Sequence, residues 1–205
     1  MILYRLFLLF YPLLAKLISP FNEKAKHWVN GQASVWDEIQ TLSSQIKGSI
    51  IWVHCASLGE FEQGRPIIEE IKTQYPNTKI LLTFFSPSGY EVRKNYKGAD
   101  HVMYLPMDSS ANAKDFLDLA KPKLAIFVKY EFWPNYLNEL NSRKIKTYLI
   151  SGIFRENQAF FKWYGGFYRQ ALNSFEHFFV QNESSKKLIQ KLGFQNVSIS
   201  GDTRF

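Results

Sequence analysis

The sequence predicts an α/β fold: a Rossmann-like parallel sheet with helices on both faces, preceded by an amphipathic amino-terminal helix. Three observations predict it. Seven short apolar runs recur over residues 48–205, longer amphipathic runs separate them, and one apolar stretch opens the chain. Short runs rich in β-branched and aromatic residues read as strands, and their regular alternation with helices closes as a parallel sheet buried on both sides.

The opening stretch, MILYRLFLLFYPLLAKLISPF over residues 1–21, is interrupted by Arg5, Pro12 and Lys16. A spanning helix needs about 20 apolar residues without charge. On a helical wheel Arg5 and Lys16 fall within about 20° of each other. Tyr4, Tyr11 and Ser19 lie near that side, and Leu6, Phe7, Leu9, Phe10, Leu13, Leu14 and Leu17 fill the opposite half. A wide apolar side with cations at its edge suits a helix lying in a membrane interface, with Pro12 kinking it. Burial against the domain or a partner, or a signal-like or spanning segment, are the other readings. Lys16 within the apolar region and the lack of a small-x-small site argue against a cleaved signal. Residues 22–30, with Lys24, Lys26 and His27 beside Trp28, read as a basic, interface-level flank, so that residues 1–30 form one membrane-associating region.

From residue 48 the strands are SIIWVHC (49–55), KILLTFF (79–85), HVMYLP (101–106), KLAIFVK (123–129), KTYLIS (146–151), HFFVQ (177–181) and VSIS (197–200). Residues 60–74, 88–96, 109–120, 133–143, 158–173 and 183–192 have helical spacing and polar faces. Ligands of such sheets sit beyond the carboxyl ends of the strands, so the loops leaving them carry the chemistry.

The first loop is His54-Cys55-Ala56-Ser57-Leu58-Gly59-Glu60-Phe61. A carboxylate in the first turn of a helix is held ionised by the helix dipole and can serve as a base. The same residues, Ser57 and Glu60, also spell an ordinary capping box. The second loop, Phe85-Ser86-Pro87-Ser88-Gly89-Tyr90, offers hydroxyls and free amides as an anion cradle, and equally is what a strand-to-helix turn looks like. In the third, Glu131 leaves an apolar strand beside Lys129, Phe132 and Trp133, with Pro134 at a helix start. That carboxylate reads either as a site group or as a helix-start acid. Residues 151–172 interleave Arg155, Lys162 and Arg169 with Phe160, Phe161, Trp163, Tyr164, Phe167 and Tyr168, a pattern that suits sugar and phosphate contacts but more often marks packing.

The composition narrows the partners. At 205 residues, 46% hydrophobic and 21% charged, the chain lies far from the disordered regime. Cys55 is the single cysteine, which rules out a disulfide framework. A formal charge of +7 points to an anionic partner. Nucleic acid is not expected, because no RNP-like strand or dense basic cluster is present. A phosphate-binding P-loop, a G-x-S-x-G elbow and D-x-D are all missing, and His27, His54, His101 and His177 stand at no metal-ligand spacing. Metal-independent chemistry is the expectation.

Taken together, WVHCASLGEFEQGRPII, LLTFFSPSGYE, YLPMDS, KPKLAIFVKYEFWPN and ISGDTRF, in that order, closely resemble the amino-terminal half of the 3-deoxy-D-manno-octulosonic acid (Kdo) transferases of lipopolysaccharide biosynthesis. The resemblance implies half of a GT-B glycosyltransferase of two Rossmann-like domains, inverting and metal-independent, without a cofactor beyond its donor substrate CMP-Kdo. It would act on lipid A precursor at the cytoplasmic face of the bacterial inner membrane. On that resemblance Glu60 is the general base, Glu131 a second site carboxylate, and Ser57, Gly59, Ser86, Ser88 and Gly89 contact the acceptor. Where the family often carries Glu-Thr-Glu before Trp-Pro-Asn, this chain has Lys129-Tyr130-Glu131-Phe132. Residues 48–205 would be the acceptor-binding domain, with the donor-binding carboxyl-terminal domain missing and the fragment inactive alone. Another GT-B sugar-nucleotide enzyme and a non-catalytic flavodoxin-like binding module are the alternatives.

Overall fold

The computed structural model describes residues 2–45, 48–130 and 132–204, residues 2, 3 and 45 by their backbone alone. Glu131 therefore lies outside the described residues. In chain order the elements are α1 (Ile2–Ile18), α2 (Glu23–Gln45), β1 (Ile50–Cys55), α3 (Leu58–Gln74), β2 (Lys79–Phe84), α4 (Pro87–Arg93), β3 (His101–Tyr104) and α5 (Ser110–Ala120). They continue as β4 (Leu124–Val128), α6 (Pro134–Ser142), β5 (Lys146–Gly152), a 3-10 turn (Ala159–Phe161), α7 (Gly166–Leu172), β6 (His177–Val180), α8 (Glu183–Lys191) and β7 (Val197–Ile199).

All seven expected strands form, and they pair in parallel in the order β3-β2-β1-β4-β5-β6-β7. The order reverses between β1 and β4, which opens a crevice at their carboxyl ends. Each face of the sheet has its own core. On one, Trp28, Val35, Ile39 and Leu42 of α2, spaced three to seven residues apart, bury one helix face with Trp52, Phe116, Phe127 and Tyr136. On the other, Phe61 and Ile68 of α3 pack against Val53, Cys55, Phe84, Ile126 and Val128.

Two regions differ from what the sequence suggests. Trp28 is not at an interface: it is 4% exposed, wedged between Tyr11 and Phe85 at ring distances of 5.0 and 5.9 Å. It belongs to a long helix, α2, whose residues 31–45 carry no assigned element in the sequence reading. Residues 158–173 do not make one helix, because the chain breaks after Phe161 and restarts at Gly166. Gly165 permits the break: a Cβ there would lie 1.8 Å from the Ala159 carbonyl oxygen, which no side chain tolerates.

The amino-terminal helix α1 forms as the sequence predicts and runs through Pro12 as one helix. Tyr4, Leu8, Tyr11 and Ala15, on one stripe, turn toward the domain. The apolar half points away from it, with Leu9, Phe10, Leu13, Leu14 and Leu17 between 51% and 71% exposed. A helix that shows its apolar half outward and seats its tyrosines inward is inverted relative to an ordinary surface helix. Among the described residues no helix is long and apolar enough to cross a membrane.

Candidate active site

The site forms where the loops after β1, β2 and β4 meet. The Ala56 carbonyl accepts the amide protons of Phe85 (3.2 Å) and Ser86 (2.7 Å), which ties the first two loops together. Gly89 lets them close up: a Cβ on it would meet Phe84 at 2.3 Å and the Ser57 carbonyl carbon at 3.0 Å. Ser57, Glu60, Ser86, Ser88 and Gly89 are thereby brought to one end of the sheet. Ser86 caps α4 by accepting from the Ser88 amide, and its hydroxyl stands 3.0 Å from that of Ser88. Gly59 is exposed in the first turn of α3.

Glu60 sits three residues after Ser57 at the start of α3, as a capping box requires, yet no capping box forms. The Ser57 hydroxyl donates to Glu60 Oε2 instead of accepting from the helix. On the other side Lys129 Nζ stands 3.9 Å from Glu60 Oε1. That is an ion pair but too long for a hydrogen bond, so among the described residues no donor is bonded to Oε1. The Glu60 side chain is only 13% exposed, and so this pairing is weakly screened by solvent. The geometry is that of an oriented carboxylate beside a cation.

Lys129 holds this position at a cost. It is the residue after β4 and has φ +67, the left-handed region that a Cβ disfavours. The strain is fixed by the Lys129 amide, which donates to the Ile150 carbonyl at 2.9 Å. Lys129 Nζ and Arg155 Cζ stand 5.3 and 5.8 Å from the Tyr130 ring centroid, so the site's rim is cationic. The carboxyl-terminal segment arrives here too. Thr203 Oγ1 lies 2.5 Å from the Gln63 carbonyl on α3 and 2.8 Å from Ser151 Oγ at the end of β5. Among the described residues no group of three His, Cys, Asp or Glu side chains could hold a metal.

Two supports of the site are not visible in the motifs. His54 is fully buried; Trp133 Nε1 donates to its Nε2 at 3.0 Å, and its Nδ1 stands 2.8 Å from Thr83 Oγ1. Trp52 Nε1 donates to the same Thr83 oxygen at 2.8 Å. This buried chain fixes the segment after β4 to β1 and β2. Asp108, also fully buried, accepts the amides of Asn135 (3.0 Å) and Tyr136 (2.8 Å) at the start of α6. Sequence offered one signal for it, an Asp in the loop leaving β3, but its partners lie 27 residues or more away.

Residues 28–205 match the family described as 3-deoxy-D-manno-octulosonic-acid transferase (kdotransferase). The chain belongs to this family. A 3-deoxy-D-manno-octulosonic acid transferase of Rickettsia bellii is 29% identical over 160 residues, covering 76% of this chain and 38% of the relative. That of Aquifex aeolicus is 41% identical over 92 residues, covering 44% and 25%. A bifunctional glycosyltransferase/methyltransferase of Fusobacterium nucleatum is 30% identical over 182 residues, covering 86% and 28%. The chain thus spans about a quarter to two fifths of these relatives' length. Among solved structures a UDP-N-acetylglucosamine 2-epimerase matches with a TM-score of 0.58 at 13% identity, over 77% of this chain and 49% of that one. The Neisseria meningitidis UDP-GlcNAc 2-epimerase matches with 0.55 at 17%, over 77% and 47%. At such identities the likeness shows the fold, a Rossmann-like sheet of the GT-B kind.

Proposed function

We propose that this chain is the acceptor-binding part of an inverting, metal-independent transferase that moves Kdo from CMP-Kdo to a lipid A precursor, with Glu60 as general base. The observation that carries the reading is the Glu60 carboxylate, oriented by Ser57 and neighboured by Lys129. A sugar hydroxyl is a weak nucleophile until a base takes its proton as the anomeric carbon loses its leaving group, and a positioned carboxylate supplies about 10²–10⁴ of rate. The proton passes to Glu60 and CMP departs from the opposite face. Glu131 is proposed as the second carboxylate on the strength of the family resemblance alone.

Two further features support an amphiphilic acceptor. A cavity of about 450 Å³ lies between α1, the start of α2 and the Ser86-Pro87 turn, lined by Tyr11, Leu14, Ile18 and Trp28 with Lys24 among its walls. It joins the hydroxyl turn to the outward apolar side of α1, so a sugar head at Ser86 and Ser88 leaves its acyl chains toward α1. The same apolar side, edged by Arg5 and Lys16, is proposed to lie on the cytoplasmic face of the inner membrane. The own donor-binding domain of a longer protein is the partner proposed for the cationic rim.

The test uses this chain joined to the carboxyl-terminal part of a Kdo transferase of the family. Incubated with lipid A precursor and CMP-Kdo, it is expected to form a Kdo-bearing product, and none with UDP-sugars. Product from UDP-sugars alone would move the chain to another sugar-nucleotide enzyme.

A further inference from the structure

The break between the 3-10 turn and α7 leaves Trp163 92% exposed and Tyr164 56% exposed, their rings in edge contact at 5.6 Å. Two adjacent exposed aromatics on a loop that merely wandered would be a liability. This loop is held. Arg169 donates from one guanidinium nitrogen to the carbonyls of Phe160 (2.8 Å) and Lys162 (2.9 Å), and Gly165 donates to the Lys162 carbonyl at 3.0 Å. Beside the loop lies a recess of about 560 Å³, walled by Lys162, Arg169 and Lys191 with Glu156 as its one acid. The loop leads into α7, which packs on the inward, tyrosine side of α1. Tyr4 of α1 packs against Phe167 and Tyr168 of α7 at 5.8 and 6.1 Å, within five residues of Trp163.

We propose that the Trp163-Tyr164 knuckle is a second membrane contact, inserting its rings at the headgroup level of an anionic bilayer while Lys162 and Lys191 face the lipid phosphates. The inference rests on the reading of α1 as a membrane-facing helix and extends it to a surface that α1 alone does not cover. Tryptophan and tyrosine belong at the water–lipid boundary, where an amphipathic ring is satisfied on both sides. Basic residues next to them add an attraction that salt screens. Arg169 is the positioning residue, since its guanidinium is spent on the loop's carbonyls.

The experiment measures partitioning of the full chain onto phosphatidylcholine vesicles and onto vesicles containing phosphatidylglycerol. Trp163→Ser with Tyr164→Ser is expected to weaken binding to both at least ~10-fold, the ratio for one buried aromatic. Lys162→Gln with Lys191→Gln is expected to weaken binding ~30-fold on the anionic vesicles and to leave phosphatidylcholine binding unchanged. Unchanged partitioning in both double variants overturns the proposal. A parallel variant, Leu13→Glu with Leu14→Glu, tests α1 separately. If it alone releases the protein, the helix reading stands and the knuckle is refuted; if the knuckle variants release it and the helix variant does not, the reverse holds. All substituted side chains are partly or fully solvent-facing, so an unchanged melting temperature confirms that binding, not folding, was altered.

Discussion

The hydroxyl of Tyr4 lies 2.5 Å from Asp108 Oδ2 and donates to it, which binds the amino-terminal helix to the residue that caps α6. Burial, then the neighbouring Asp108 carboxylate, push the Tyr4 phenol far above its ordinary range, so it remains a donor at every working pH. Removing that hydroxyl leaves a buried carboxylate short of a partner, which costs about 1–3 kcal/mol. Tyr4→Phe is therefore expected to lower the melting temperature and to expose α1 to proteolysis. An unchanged protease pattern would show that α1 is held by its other contacts alone.

Asp108 itself gives the pH dependence. Burial raises its carboxyl from 3.8 to about 6, against the lowering effect of Tyr4 and of the Asn135 and Tyr136 amides. The folded state then binds more protons than the unfolded one between those values, so this group's contribution falls as pH rises from about 4 to about 6 and is flat above. The full change is about 3 kcal/mol. In urea titrations the stability difference between wild type and Asp108→Asn should shift in that window in favour of the variant as pH rises. A difference constant from pH 4 to 7 would contradict the assignment.

Gly89 is the point of closest approach between the first two loops. Gly89→Ala forces a Cβ against Phe84 and the Ser57 backbone, and overpacking of this kind costs about 1–3 kcal/mol. Because Ser57 carries the contact to Glu60, turnover of the chain joined to the carboxyl-terminal part of a Kdo transferase is expected to fall along with stability. A fully active Gly89→Ala protein would show that the loops can separate freely.

Lys129 combines a charge with a strained backbone, and two substitutions separate them. Lys129→Gln removes the ion pair with Glu60 and keeps the strain, whereas Lys129→Gly removes both. The glycine variant is expected to be the more stable by about 1 kcal/mol, measured by chemical denaturation. Equal stability would mean that φ +67 is not strained in this context.

The strands and the loops bearing Glu60 and Ser86 were legible because strand periodicity and strand-to-helix turns are local in sequence. The contacts that seat α1 were not: a wheel sets its tyrosines opposite the apolar half, but their partners Trp28, Phe85 and Asp108 lie outside the helix. Gly165 and Gly166 lie among apolar residues at helical spacing, and the helix breaks there because the Ala159 carbonyl comes against Gly165, a long-range approach that the spacing does not encode. The links His54–Trp133 and Asp108–Asn135 join residues 79 and 27 positions apart, beyond the reach of any local pattern. The same holds for Lys129, whose distance from Glu60 depends on β1 and β4 being neighbours.

Glu60 is proposed as the base that accepts the acceptor hydroxyl's proton. The most direct measurement is single-turnover transfer by this chain carrying Glu60→Gln, joined to the carboxyl-terminal part of a Kdo transferase of the family, with CMP-Kdo and lipid A precursor saturating. The amide keeps the shape of the side chain and cannot take a proton. The rate is expected to fall by about 10²–10⁴ with acceptor binding retained. A rate within about twofold of wild type would contradict the assignment.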